Sequence, residues 1–256
     1  MDKENQKVNI FKIFLHSLFI QTVWNYKSMV SVGFTFSLWA RCKHILTDKN
    51  EKIAFLKRHL SFFNTHPYMA TYAIGAIIRL EEEYKKTGNP DINSIDKLKN
   101  ALIGPLGAIG DQVFWQSMKP GISLLGLLGL MLTDHLWSRL FILVLMLLIY
   151  NIPHFVIRYR GLKIGYEHGF SVYKYVKIEK FKYIISSFKI VGAVSLGFLL
   201  PVLLIKNKSG ELENIIFFFL VFVLTYFIRK NTSNIYYALL IPLILSLIVG
   251  FIMVKL

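Results

Sequence analysis

Two stretches of this chain set polar side chains among bulky apolar ones. One is Phe62-Phe63-Asn64-Thr65-His66-Pro67; the other is Gly110-Asp111-Gln112-Val113-Phe114-Trp115. Asn, Asp and Gln can donate to or accept from hydroxyl groups, and Phe and Trp can cover the apolar face of a pyranose ring. That pairing is what a neutral, polyhydroxylated ligand requires. Asn64, Thr65, His66, Asp111, Gln112 and Trp115 are therefore the candidate ligand-facing residues. A second reading stays open beside it: Asn64 caps a helix end and Asp111 caps a broken helix. His66 stands apart from the other six histidines, which are scattered, because it sits at a proline-terminated helix end.

Other chemistries lack their residues. There is no Gly-x-x-x-x-Gly-Lys-Ser/Thr loop, and Gly104, Gly107 and Gly110 follow no strand pattern, so a nucleotide site is not supported. No His-Glu-x-x-His or Cys-x-x-Cys pair occurs, and no metal or other cofactor is expected. Cys42 is the single cysteine, which excludes an internal disulfide and reads as an ordinary small residue. A membrane enzyme using Asp111 as acid or base would need a second titratable group, and the neighbouring sequence offers none. No residue is assigned a catalytic role.

The elements that position these residues divide the chain. Of 256 residues, 54% are hydrophobic, and the net charge is +15. Such composition points to an integral membrane protein with basic cytoplasmic loops, and away from nucleic acid. Residues 8–120 form an amphipathic half. Ile10, Phe11, Phe14, Leu15 and Leu18 share one helical face opposite Asn9, Lys12 and His16, a pattern suited to an anionic membrane surface. Trp24-Asn25-Tyr26 reads as an interfacial anchor. Asp48 with Glu51 forms a capping box ahead of Ile53, Leu56, Leu60 and Phe63. That helix stops before Pro67. Tyr68–Leu80 is a short apolar segment, Glu81-Glu82-Glu83 a solvated face, and Gly88-Asn89-Pro90-Asp91 a turn. Ile95, Leu98 and Leu102 lead into Gly104-Pro105-Leu106-Gly107. There, glycine and proline disfavour a continuous helix, and a bent, re-entrant element at membrane depth is expected.

Residues 120–256 form the transmembrane half. Leu140–Ile157, Ile190–Ile205, Asn214–Ile228 and Asn231–Val254 are uncharged for 18, 16, 15 and 24 residues and read as spans or broken spans. Between Arg158 and Lys189 stand eight basic residues and two acids, so the loop near 158–189 is expected in the cytoplasm. Alternating crossings then place Leu256 outside. The polar N-terminus with no cleavage site after it reads as uncleaved. The fold class is all-α integral membrane protein: amphipathic N-terminal helices, a central re-entrant or broken helical element and several C-terminal transmembrane helices in one membrane domain, 1–256.

At these residues the chain resembles a family, the IID component of mannose/fructose/sorbose-type sugar phosphotransferase systems. The resemblance rests on Trp24-Asn25-Tyr26, Arg58 through Pro67, Leu80-Glu81-Glu82-Glu83, Gly104 through Asp111, Phe114-Trp115, Asn151-Ile152-Pro153-His154, Arg158-Tyr159 and Gly165-Tyr166-Glu167-His168-Gly169. It covers about residues 10–170. Gln112 stands where the family commonly has Pro or Ser, Lys119-Pro120 where Arg-Pro is usual, and Arg79 at a position that looks like Ala in relatives. The resemblance implies a non-phosphorylated subunit of the bacterial cytoplasmic membrane. It implies pairing with a IIC membrane subunit, a higher oligomer of such pairs, and a hexose substrate. Phosphorylation falls to cytoplasmic IIA and IIB carriers. A purely structural scaffold without sugar contacts is the alternative.

Overall fold

The structure is a computed structural model that describes residues 8–206 and, beyond them, positions 220, 223, 224, 227, 228, 230, 231 and 244. The expected spans Asn214–Ile228 and Asn231–Val254, and the C-terminus, lie outside the described residues apart from those single positions. Among the described residues the chain is helical and contains no strand. In order come α1 (Ile10–Ser17), α2 (Ser31–Cys42), α3 (Lys49–His59), α4 (Ala70–Thr87) and α5 (Ile92–Gly110). A π-helical segment (Asp111–Met118) then leads into α6 (Lys119–Met131), α7 (Leu136–His168), two 3₁₀ turns (Gly169–Lys174, Ile178–Phe181) and α8 (Lys182–Lys206). Two compact units divide the chain, residues 1–196 and 197–256. All candidate site residues belong to the first.

Helix α4 is the centre of the first unit. Its leading three turns, Ala70-Thr71-Tyr72-Ala73-Ile74-Gly75-Ala76-Ile77-Ile78, are small or apolar all round, and every one of these residues is buried. A helix apolar on all faces has to be enclosed by others, and α2, α5 and α7 enclose it. The crossing with α7 is close because both helices are bare there. A Cβ on Gly75 would collide with the Leu162 carbonyl, and one on Gly165 with the Tyr72 carbonyl. Small residues that let backbones approach are a common helix-packing device in membrane proteins.

The expected short segment Tyr68–Leu80 is thus part of a longer helix, and this changes the reading of its acids. Glu81 and Glu82 are not a solvated face: they are 3% and 6% exposed. The helix continues about two turns past Leu80 and carries them beneath α2, α3 and α7 side chains. Only Glu83 remains at the surface, paired with Arg79 four residues earlier. The helix ends at Gly88, in left-handed conformation at φ 73°, with its N–H donating to the Tyr84 carbonyl at 2.8 Å.

The central interruption is present but displaced. Pro105 lies inside α5, and the backbone runs helically through the three glycines. The α-helical pattern gives way one turn later, over Asp111–Met118, where the Ser117 hydroxyl donates back to the Gln112 and Val113 carbonyls. Helix α1 buries Ile13 and Ser17; of the apolar face read from the sequence, Phe11, Leu15 and Leu18 stay exposed while Ile10 and Phe14 are half-buried, Phe14 against Phe155 and Tyr159 of α7.

Leu136–Lys174 and Ile178–Leu199 are long and apolar enough to cross a membrane. They contain or overlap the expected spans Leu140–Ile157 and Ile190–Ile205. Helix α7 runs on through Arg158 to His168, so the non-helical part of the basic 158–189 stretch is short. Large side chains such as Trp137 (81% exposed) and Phe141 (67%) cover its outer face.

Candidate functional site

The segment Arg58–Tyr68 leaves α3 and enters α4, and it carries two clusters. Its middle is fixed by backbone pairing: Val30 N–H donates to the Phe63 carbonyl at 3.1 Å, and the Phe63 ring lies 4.1 Å from that of Phe34. Asn25 organises the strip that does this pairing. Its side-chain oxygen accepts from the backbone N–H groups of Lys27 (3.1 Å) and Ser28 (2.9 Å). Asn25 is therefore a turn-former, flanked by exposed Trp24 and Tyr26.

Beyond Phe63 the chain lies on the bare face of α5. The Thr65 hydroxyl donates to the Ile103 carbonyl at 3.0 Å and sits over Gly107. His66 rests on Gly110, where no Cβ would fit. Its ring stacks on Phe114 (5.1 Å, 15° between planes), with Trp115 at 5.0 Å and Tyr68 edge-on at 4.9 Å. Tyr68 in turn stacks on His154 of α7 at 4.0 Å, and the Arg158 guanidinium lies 5.2 Å from the Tyr68 ring. Arg158 also donates to the Ser17 carbonyl of α1. Three buried nitrogens in this cluster have no hydrogen-bond partner among the described residues: His66 Nε2, His154 Nδ1 and Arg158 Nε.

The two sequence-predicted stretches are therefore brought together, through Thr65 and His66 on one side and Gly107, Gly110, Phe114 and Trp115 on the other. Thr65 and His66 are buried. Asn64, Gln112 and Trp115 are exposed, and Asp111 is half-buried. Neither capping role is filled: no hydrogen bond from the Asn64 or Asp111 side chain to a helix end occurs among the described residues. Tyr68, His154 and Arg158 complete the cluster. None was named as a site residue from sequence, although His154 and Arg158 fall in stretches that carry the family resemblance and Tyr68 directly follows His66-Pro67.

The other cluster is ionic. Glu81 receives Arg58 Nη2 at 2.8 Å on both oxygens and His59 Nε2 at 2.9 Å on Oε1. Burial alone would raise the Glu81 carboxyl; the hydrogen bonds and charge from His59 and Arg58 outweigh it and hold the carboxyl below its ordinary range. Burial outweighs the hydrogen bond and charge of Glu81 and pulls His59 down. Lys99, 1% exposed, caps the end of α3. Its ammonium donates to Ser61 Oγ at 2.8 Å and to the His59 carbonyl at 3.3 Å, and lies over the Phe34 and Phe63 rings. A cation there answers the negative end of the α3 dipole. Burial nevertheless pulls Lys99 down to about 8. Glu82 pairs with Arg41 of α2 and accepts from the Tyr166 hydroxyl of α7 at 2.6 Å. Cys42 is buried nearby, and burial with the Glu81 and Glu82 charges pushes its thiol well up, which makes it a poor nucleophile.

No group of three or more His, Cys, Asp or Glu residues able to hold a metal occurs among the described residues. What the geometry defines is an all-α membrane protein that presents polar and aromatic side chains beside an interrupted helix. The chain belongs to the mannose/fructose/sorbose family of phosphotransferase-system IID components, whose family model matches residues 5–208. It is 31% identical over 174 residues to the mannose-specific EIID component of Escherichia coli (strain K12), a match covering 68% of this chain and 60% of that one. The chain thus spans less than two thirds of the length of that relative. It is 26% identical over 225 residues to the fructose permease IID component of Bacillus subtilis (strain 168), covering 83% and 80%. Among solved structures it superimposes with a TM-score of 0.57 at 25% identity on a chain from a cryoEM structure of the mannose transporter ManYZ with microcin E492. That match covers 98% of this chain and 95% of the other. A second match, described as a membrane protein, has a TM-score of 0.67 at 24% identity.

Proposed function

We propose that this chain is the membrane subunit through which a hexose of the mannose, fructose or sorbose class crosses the bacterial cytoplasmic membrane. It acts with a IIC subunit in an oligomer of IIC–IID pairs. A cytoplasmic IIB subunit, charged through IIA, phosphorylates the sugar. The chain itself carries no catalytic group. The observation that supports this reading most directly is the convergence of the two polar–aromatic stretches: Thr65 and His66 buried against the glycine face of α5, with the side chains of Asn64, Asp111, Gln112 and Trp115 left without polar partners among the described residues. In this role Trp115 covers the ring face of the sugar, while Asn64, Asp111 and Gln112 meet hydroxyls. Thr65 and His66 hold the surface in shape. The basic stretch from Arg158 to Lys189 faces the cytoplasm, where the phosphoryl carriers approach, and the C-terminus lies outside.

The test is phosphoenolpyruvate-dependent phosphorylation of a hexose panel in membranes containing a IIC partner and soluble IIA and IIB, with and without this chain. Dependence of one sugar on this chain identifies the substrate. In that assay Asp111→Asn is expected to raise the half-saturating sugar concentration by about tenfold, the worth of one well-placed hydrogen bond to a charged group. If Asn64→Ala and Asp111→Asn both leave the rate and half-saturation unchanged, the sugar does not touch these residues and the scaffold reading replaces this one.

A further inference from the structure

Helices α6 and α7 form an antiparallel hairpin that is tight at one end and open at the other. Near the turn, Gly129 lies against Ile142 and Gly126 against Met146, the latter with no room for a Cβ. Toward the start of α6 the helices part. They leave a groove of about 300 Å³ lined by Lys119, Ile122, Ser123, Met146, Leu147 and Tyr150. Lys119 and Ser123 are one helical turn apart, so both face this opening. The walls below them are apolar.

The charge in this groove is unanswered. Between Gln112 and Tyr166 the only acid is Asp134, which sits at the hairpin turn and pairs with Arg139 at 3.2 Å. Lys119 has no ion pair among the described residues. Lys119 and Ser123 are exposed at the rim of the groove; an ammonium on the outer surface of apolar spanning helices calls for a counter-ion, and the groove must receive it from outside. Its depth indicates the source. Tyr150 lies 14 residues beyond Leu136, about 21 Å along a helix axis, in a span whose apolar face runs on to Arg158. In a hydrocarbon core about 30 Å thick, that leaves Lys119 within a side chain's reach of the far headgroup layer.

We propose that the α6–α7 groove is a binding site for an anionic phospholipid. The headgroup phosphate meets the Lys119 ammonium and the Ser123 hydroxyl. Acyl carbon packs along Ile122, Met146 and Leu147, and Tyr150 shelters the mouth. The groove adjoins the polar–aromatic cluster through Tyr150, which interacts with Tyr68, but the proposal does not depend on the sugar reading. A hexose fits it poorly, because the walls offer few hydrogen-bonding groups.

The test uses the full chain, purified in detergent and stripped of lipid, titrated with phosphatidylglycerol or phosphatidylcholine and followed by native mass spectrometry. Phosphatidylglycerol is expected to bind at least about fivefold more tightly, the equivalent of about 1 kcal/mol for one lysine near an anionic surface. Lys119→Gln should remove that preference and Lys119→Arg should keep it. The thermal midpoint of lipid-free Lys119→Gln, matched to that of the parent, establishes that the variant is folded. Equal binding of the two lipids overturns the proposal, as does a preference that survives Lys119→Gln. So does a preference that disappears instead with Lys174→Gln/Lys177→Gln/Lys180→Gln, which would place the lipid on the basic turn after α7. Loss of a co-purifying membrane protein in Lys119→Gln, with lipid binding intact, would assign the groove to a protein carboxylate.

Discussion

Two buried polar clusters flank Phe63 in sequence, and they are built on opposite rules. In the first, around Arg58, His59, Glu81, Glu82 and Lys99, each charge meets an opposite charge or a helix end. In the second, around His66, Tyr68, His154 and Arg158, rings stack on rings and three buried nitrogens have no partner among the described residues, against one, His59 Nδ1, in the first. Removing one member of a matched ionic cluster strands the others, so the first region is stiff. Stacked rings exchange neighbours at smaller cost, and unpaired nitrogens can accept new partners. One region fixes the helices; the other leaves a surface that a ligand or a neighbouring subunit can complete.

This contrast can be broken in order of expected effect. Glu81→Ala should be the most damaging change, at about 3–5 kcal/mol, because Arg58 loses its buried counter-charge. The measurement is the thermal midpoint in detergent; a shift no larger than that of an exposed substitution would dissolve the distinction. Gly110→Ala comes next. Its methyl collides with His66 and should unstack the ring from Phe114, costing about 1–3 kcal/mol. Sugar phosphorylation should fall by more than the loss of folded protein, and a fall that matches that loss would remove the ring cluster from function.

The pH response is smaller and has a definite sign. Lys99 is pulled down to about 8 in the fold against 10.5 in the open chain. Between those values the unfolded chain binds more protons, so stability should rise as pH increases through this window. Lys99→Met should flatten that rise, read as the thermal midpoint at a series of pH values. Smallest of all is Arg79→Ala. The exposed Arg79–Glu83 pair is worth about 0.3–0.5 kcal/mol, and the midpoint should hardly move. A large drop would mean that the ionic cluster extends to the surface.

Much of this division could be read from the residues, and the part that could not has physical causes. The Asp48 cap and the Gly88 turn are local, and each stands where the sequence places it; α3 itself ends at His59, earlier than the stop expected before Pro67, so Leu60 and Phe63 lie beyond the helix. The burial of Glu81 and Glu82 is not local. Three acids after an apolar run look solvated until Arg58, His59, Arg41 and Tyr166 arrive from 22 to 84 residues away. Pro105 misled in the other direction. Its missing N–H and the flanking glycines argue for a break, yet α5 carries them, because Gly107 and Gly110 are where Thr65 and His66 rest. The ring cluster was half legible. His66, Phe114 and Trp115 stood out by type, but pairing them with Tyr68 and His154 needed the fold.

The π-helical segment makes chain length itself a structural variable. An α-helix takes 3.6 residues to a turn, so gaining or losing one residue upstream swings every later side chain by about 100° around the axis. Closing Asp111–Met118 into regular helix by deleting one residue would leave composition and hydrophobicity almost untouched. It would aim Gly126 away from Met146 and Gly121 away from Phe188, and bring bulk to faces that admit none. The wide turn works as a phase-setter, and this stretch should tolerate exchange of residues far better than any change in their number.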